Sequence, residues 1–226
     1  MKRLLLSSAL LCLSAAALAS SLSVSVIDKE GKPVPDAVVV VLPANKSVLP
    51  ALPLSAQATI FQEKMQFVPN VTLVPVGAKL SFINNDPWDH HVRSSPAGMG
   101  QFNATQAGFE FRLEGRSANK SAKPAEVTID KAGGLNATLL GCFLHGSMRG
   151  YVYASESPWA AKTNADGLAV FEGLPEGAAQ VKVWQADQLI SPPVQSLALT
   201  AIPGKLGVQL SVVPRRSRAV SNDSGY

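Results

Sequence analysis

The sequence predicts an all-β chain of sandwich-like units, and three observations predict it. Short runs rich in Val, Ile, Leu, Phe and Thr recur along the chain, several of them alternating apolar and polar residues with the period of two that a half-buried strand requires. Turn-forming residues separate the runs, as in Glu30-Gly31-Lys32-Pro33, Asn85-Asp86-Pro87, Ala132-Gly133-Gly134, Ala165-Asp166-Gly167 and Pro175-Glu176-Gly177. Beyond an apolar N-terminal segment, helix is expected only in one short piece, Ala56 to Met65.

Taken in order, the chain opens with Met1-Lys2-Arg3, an apolar run through Leu18, and Ala17-Leu18-Ala19 ahead of Ser20. A charged start, an apolar core and a small-residue site are the parts of a secretory signal. Cleavage is expected near Ala19/Ser20, giving a periplasmic or secreted product. Cys12 lacks the small residue that a lipoprotein signal places directly before its cysteine. No later stretch approaches the roughly 20 apolar residues of a membrane-spanning helix. Strands are then expected at 20–28, where Leu22, Val24 and Val26 alternate with serines, and at 37–42, a β-branched run. Residues 43–56, with Pro43, Pro50 and Pro53, read as a linker. Further strands are expected at 71–76, 79–83, 126–129, 137–140, 151–154, 168–171, 180–184 and 205–213. Residues 214–226 read as a polar, disordered tail holding Arg215, Arg216 and Arg218.

Charge and cysteine usage narrow the function classes. Of the 20 Lys and Arg, removal of Lys2 and Arg3 leaves 18 against 16 Asp and Glu, a surplus too small to suggest nucleic acid. With Cys12 in the leader, Cys142 stands alone. In an oxidising compartment cysteines are expected in pairs, so a lone thiol is buried and inert, bonded to another chain, or a metal ligand.

Its neighbourhood favours metal. All three histidines and Cys142 fall in two short stretches, Asp89-His90-His91-Val92 and Cys142-Phe143-Leu144-His145-Gly146-Ser147-Met148. Thiolate, imidazole and thioether at C-x2-H-x2-M spacing, with one more imidazole from the first stretch, make the His2Cys set with a weak axial Met that suits an electron-transfer copper centre. His90 and His91 cannot both face inward on an extended chain, because adjacent side chains alternate. His90 shares the parity of apolar Val92 and is preferred, with His91 the other candidate. Singly, Met148 would be a core filler and an Asp-His-His loop merely solvated; their joint occurrence points to a site. The chain is not expected to be an enzyme. Three histidines cannot build a trinuclear copper cluster, one cysteine cannot build a binuclear one, and no Ser-His-Asp arrangement exists that spares the candidate ligands.

Two resemblances follow from longer motifs. The opening SVIDKEGKPVPDAVVVVLP resembles that of a carboxypeptidase regulatory-like or transthyretin-like sandwich, whose continuation appears only at TNADGLAVFEGLPEG, residues 163–177, followed by QVKVW. The block between resembles a cupredoxin of the plastocyanin and amicyanin type. FVPNVTLVPVGAKLSFINNDPWDHH carries Phe67, Pro69, Gly77, Phe82 and Asn84 in family order, and KAGGLNATLLGCFLHGSMRGYVYA carries the cysteine loop. The resemblance implies a Greek-key sandwich or barrel at 57–154, inserted into a second, discontinuous sandwich made of 20–50 and 155–213. That layout is similar to bacterial exported proteins of the plastocyanin-like or methylamine-utilisation type. It also implies one mononuclear type 1 copper ion bound by His90, Cys142, His145 and Met148, single-electron transfer to a redox protein partner, His145 as the exposed ligand through which the electron leaves, and Asn84 tying the two ligand loops together.

Asp89 stands where relatives often have proline and is a candidate to tune or to hydrogen-bond one of the two imidazoles. Trp88, Phe143 and Leu144 are candidates for an apolar docking face, with ordinary packing as the plain counterpart. The alternative function is copper binding and trafficking, or a surface-interaction protein with a structural metal, motivated by the outer sandwich.

Overall fold

The computed structural model describes residues 20–99, 108–117, 123–130 and 137–215. The expected leader, the Ala132-Gly133-Gly134 turn and most of the expected tail lie outside the described residues. Sixteen strands are formed: β1 (Ser20–Ile27), β2 (Val38–Pro43), β3 (Gln57–Glu63), β4 (Gln66–Val68), β5 (Val71–Pro75), β6 (Lys79–Asn84), β7 (His90–Pro96), β8 (Glu110–Leu113), β9 (Ala125–Thr128), β10 (Ala137–Cys142), β11 (Arg149–Ser155), β12 (Ala160–Lys162), β13 (Leu168–Leu174), β14 (Gly177–Trp184), β15 (Gln195–Leu199) and β16 (Gly204–Gln209). Among the described residues there is no α-helix, and no helix is long and apolar enough to cross a membrane.

The strands form four sheets, in the orders β13-β1-β16, β12-β2-β14-β15, β5-β11-β10-β7-β8 and β4-β3-β6-β9. The first two draw only on strands from the two ends of the chain, the last two only on β3 to β11. Three apolar clusters lie between successive sheets. Leu22, Val24 and Val26 of β1 meet Val39 and Val41 of β2 in the first. Val38 and Val40 of β2, with Trp184, meet Val71, Ala137 and Tyr153 in the second. Ile60 and Phe82 meet Val92, Leu140 and Cys142 in the third. Val38 to Val41 therefore form an unbroken apolar run because β2 is buried on both faces, odd residues toward one cluster and even toward the other. The ring of Trp184 packs 5.6 Å from that of Tyr151 and 5.5 Å from that of Tyr153, joining the β14 sheet to the β11 sheet.

Residues 56–65 are not helical. Gln57 to Gln62 run parallel to Lys79 to Asn84, and Phe61 to Glu63 pair with β4. Thr59, Ile60 and Phe61 suit a pleated surface, and these sheet partners supply backbone bonds that a short isolated helix lacks. Strands β4, β7, β8, β12 and β15 were not expected from the sequence. In β7 only Val92 announces an inner face within His90–Pro96.

The register decides where the site sits. Cys142, the last residue of β10, pairs with Val92 of β7, and His90, the first residue of β7, pairs with Leu113 of β8. Both sequence stretches singled out for their chemistry therefore emerge at the same end of one sheet. Gly150 in β11 permits the approach of the facing sheet, since a Cβ there would lie 2.7 Å from Cβ of Phe67.

Candidate metal centre

His90 is fully buried, and Val92 beside it on the inner face is also buried. His91 turns outward, with Nε2 2.7 Å from Glu110, and its ring lies 5.9 Å from that of exposed Phe143. The loop before β7 is built by Asn84. Its side-chain oxygen accepts the Asp86 N–H at 2.9 Å, while its amide donates to the carbonyls of Trp88 at 2.8 Å and Glu114 at 3.0 Å. Asn84 thus ties the His90 loop to the end of β8 and not, as the resemblance implied, to the Cys142 loop. At the position after the cysteine stands Phe143, whose side chain offers no hydrogen-bonding group.

Asp86, in the sequence only one residue of the Asn85-Asp86-Pro87 turn, is the residue that touches His90. Its Oδ2 lies 2.8 Å from His90 Nε2 and accepts the Met65 N–H at 3.0 Å, while Oδ1 accepts the Lys64 N–H at 2.6 Å. An ionised carboxylate only accepts, so a neutral His90 bonded to it would carry its proton on Nε2 and leave Nδ1 as a lone pair. Burial pushes the His90 imidazole below its ordinary pKa, against the opposing pull of the Asp86 bond, and so favours the neutral ring. Asp89 bonds to neither imidazole, although its charge acts on His90 and opposes the lowering of that ring's pKa. It accepts the Gly115 N–H at 2.7 Å and binds Arg112 at 2.5 Å, and these two bonds hold its carboxyl below the usual carboxylate range. Gly115 is required at that contact, because a Cβ there would lie 2.3 Å from the Pro87 carbonyl oxygen.

Cys142 is 5% exposed at the end of β10. The chain then turns outward through Phe143, whose N–H donates to the His91 carbonyl at 2.9 Å, and comes back at His145. The Met148 N–H donates to the His145 carbonyl at 2.9 Å, which closes the loop. Cys142 Sγ lies 3.6 Å from His90 Nδ1 and 3.5 Å from His145 Nδ1, and the two Nδ1 atoms are 3.2 Å apart. His145 is half-buried, whereas Met148 is buried in the same apolar cluster as Cys142. Among the described residues this is the one group of three or more His, Cys, Asp or Glu donors that could hold a metal ion.

The triangle has the right size for an ion. Nitrogens at about 2.0 Å and a sulfur at about 2.3 Å around a common centre stand roughly 3.3–3.7 Å from one another. Two imidazole nitrogens and one thiolate suit copper or zinc, and the thioether of Met148, in the same buried cluster as Cys142, is a donor type that favours the softer metal. Around this site Trp88, Phe143 and Leu144 are 42%, 67% and 50% exposed, large apolar groups left at the surface. Arg93 lies over the Phe143 ring at 5.6 Å.

No protein-family model matches the chain, and no curated protein matches it. Solved structures do. An oxidised amicyanin variant is 18% identical, with a TM-score of 0.34, the match covering 52% of this chain and 98% of that one. Amicyanin from Paracoccus versutus is 19% identical, with a TM-score of 0.32, covering 48% of this chain and 96% of its own. A reduced amicyanin variant is 22% identical at a TM-score of 0.32, covering 49% of this chain and all of its own length. None of these overlaps assigns a role to a residue here.

Proposed function

We propose that the chain is an exported one-electron carrier, not an enzyme, with a single mononuclear type 1 copper ion held by His90 and His145 through Nδ1, by Cys142 through Sγ, and by Met148 as a weak fourth ligand. The observation that carries this reading is the triangle of two Nδ1 atoms and one Sγ, with His90 and Cys142 buried and His145 half-buried, and with edges of 3.2, 3.5 and 3.6 Å. When bound, copper would supply a one-electron couple between Cu(I) and Cu(II).

The chain's own residues supply the rest. His90 and Cys142 are held at the ends of adjacent strands, which limits how far the ligands can move when the charge at the site changes. Cys142 is 5% exposed, which leaves little room for water at its sulfur. His145 is the half-buried member of the set and offers the shortest route to a protein redox partner, with Trp88, Phe143 and Leu144 as the apolar surface such a partner would meet. Residues 57–154 would form the copper unit, 20–50 with 155–213 the sandwich into which it is inserted, and 1–19 the leader that sends the product to the periplasm or outside the cell.

Reconstitution with Cu(II) tests the proposal. The mature protein should turn blue, with the strong visible absorption of a copper–thiolate bond and a reversible voltammetric wave, and Cys142→Ala should remove both. A colourless wild-type protein overturns the type 1 assignment. Tight Cu(I) binding without a reversible wave would instead mark a trafficking protein.

A further inference from the structure

The turn between β3 and β4 is held in an unfavourable conformation. Lys64 and Met65 both lie in the left-handed region, at φ 51° and 57°. A two-residue hairpin turn of that kind is normally made by Asn-Gly or Asp-Gly, and neither Lys nor Met prefers it. Asp86, 4% exposed, accepts the N–H groups of both residues. The oxygen that takes the Met65 N–H also lies 2.8 Å from His90 Nε2. One buried carboxylate therefore joins a strained turn, the loop capped by Asn84, and the fully buried imidazole.

We infer that Asp86 is the positioning residue of the metal centre, fixing His90 in the Nε2–H tautomer so that Nδ1 faces Cys142 and His145, with the β3–β4 turn as the post to which Asp86 is tied. What His90 then binds rests on the copper reading; the locked tautomer does not. A carboxylate is needed because three N–H groups converge on it and it has no proton to offer in return. An amide in its place turns one oxygen into a donor. That donor faces either the Lys64 N–H, which pushes the side chain off its tie to the turn and loosens its hold on His90, or the Met65 N–H together with His90 Nε2. In the second case it drives the proton of His90 onto Nδ1, the atom that must stay free to ligate.

The experiment is nitrogen NMR of labelled imidazoles in the metal-free full chain, with metal affinity from chelator competition using Cu(II) and Zn(II). In the wild type, His90 should appear as a single Nε2–H tautomer with a slowly exchanging proton. In Asp86→Asn that tautomer should lose its dominance and both metals should bind about 10–100-fold more weakly. Asp86→Glu, which keeps the charge, should restore more of the affinity than Asn or Ala does. A wild-type His90 without a protected Nε2 proton overturns the inference, and this measurement needs no variant to fold. So does an Asp86→Asn protein with unchanged tautomer and affinity. If the wild type takes up no copper yet shows the locked tautomer, lost on Asp86→Asn, the electron-carrier reading falls and the positioning role stands.

Discussion

Cys142 Sγ and His90 Nδ1 stand 3.6 Å apart although 52 residues separate them. The approach is set by strand register: Cys142 pairs with Val92, two residues beyond His90 on the same face. Closing the site thus requires the whole of β7 and β10 to be in register, and a one-residue slip would turn His90 to the outside and bring His91 inward.

The two adjacent histidines should behave oppositely. His90→Ala should lose metal binding by more than tenfold, because it removes one corner of the triangle. His91→Ala should leave affinity within about twofold and stability within about 1 kcal/mol, since its pairing with Glu110 is partly exposed. Chelator competition and thermal unfolding of the two variants decide the point. Equal losses would contradict the assignment of the inner imidazole.

Met148 permits a test on the potential. Met148→Leu conserves volume in the buried cluster and should cost less than about 1.5 kcal/mol in folding. If the thioether is the weak fourth ligand, that variant should remain blue with a raised reduction potential, because a donor that helps stabilise Cu(II) is gone. Met148→Gln should lower the potential by offering a harder oxygen. Voltammetry of the two blue variants gives both signs, and identical potentials would remove Met148 from the ligand set.

At Gly150 the prediction concerns stability. A methyl group there would lie 2.7 Å from Phe67 Cβ and 3.0 Å from Cγ, both near the stem of a fully buried ring that cannot swing aside. Gly150→Ala should destabilise the protein by about 1–3 kcal/mol. Denaturant unfolding at unchanged m-value is the measurement, and a neutral result would mean that β11 and Phe67 separate easily.

Trp184 links the two halves of the fold. Trp184→Ala empties a site against Tyr151 and Tyr153 and should cost about 3–5 kcal/mol. Cys142 of the His90–Cys142–His145 triangle lies in a different cluster, so a folded Trp184→Ala protein should keep its metal affinity. Loss of the metal site in a folded variant would show that the middle layer also shapes the centre.

Much of this protein follows from local pattern. Alternation in β1, the unbroken valines of β2 and the Gly and Pro turns announce strands because side chains on a pleated backbone have only two faces to choose from. The candidate donors are legible for a different reason: chemistry-bearing residues are scarce, and all three histidines with Cys142 gather in two stretches. The inward turn of His90 also follows locally, from its parity with Val92. Residues 57–63 show where local pattern stops. The Ala-Thr-Ile-Phe-Gln segment becomes a strand because β6 and β4 lie on either side of it to supply hydrogen bonds. Asp86 and Asp89 look alike in the sequence, yet one meets His90 and the other Arg112. That choice depends on Lys64, Met65 and Gly115, residues more than 20 positions away, brought in by pairings of whole strands. Sequence by itself determined which face each residue prefers and which atoms can ligate. Only the tertiary structure decided what each buried polar group bonds to, because a buried group takes the partner that long-range register places within 3 Å.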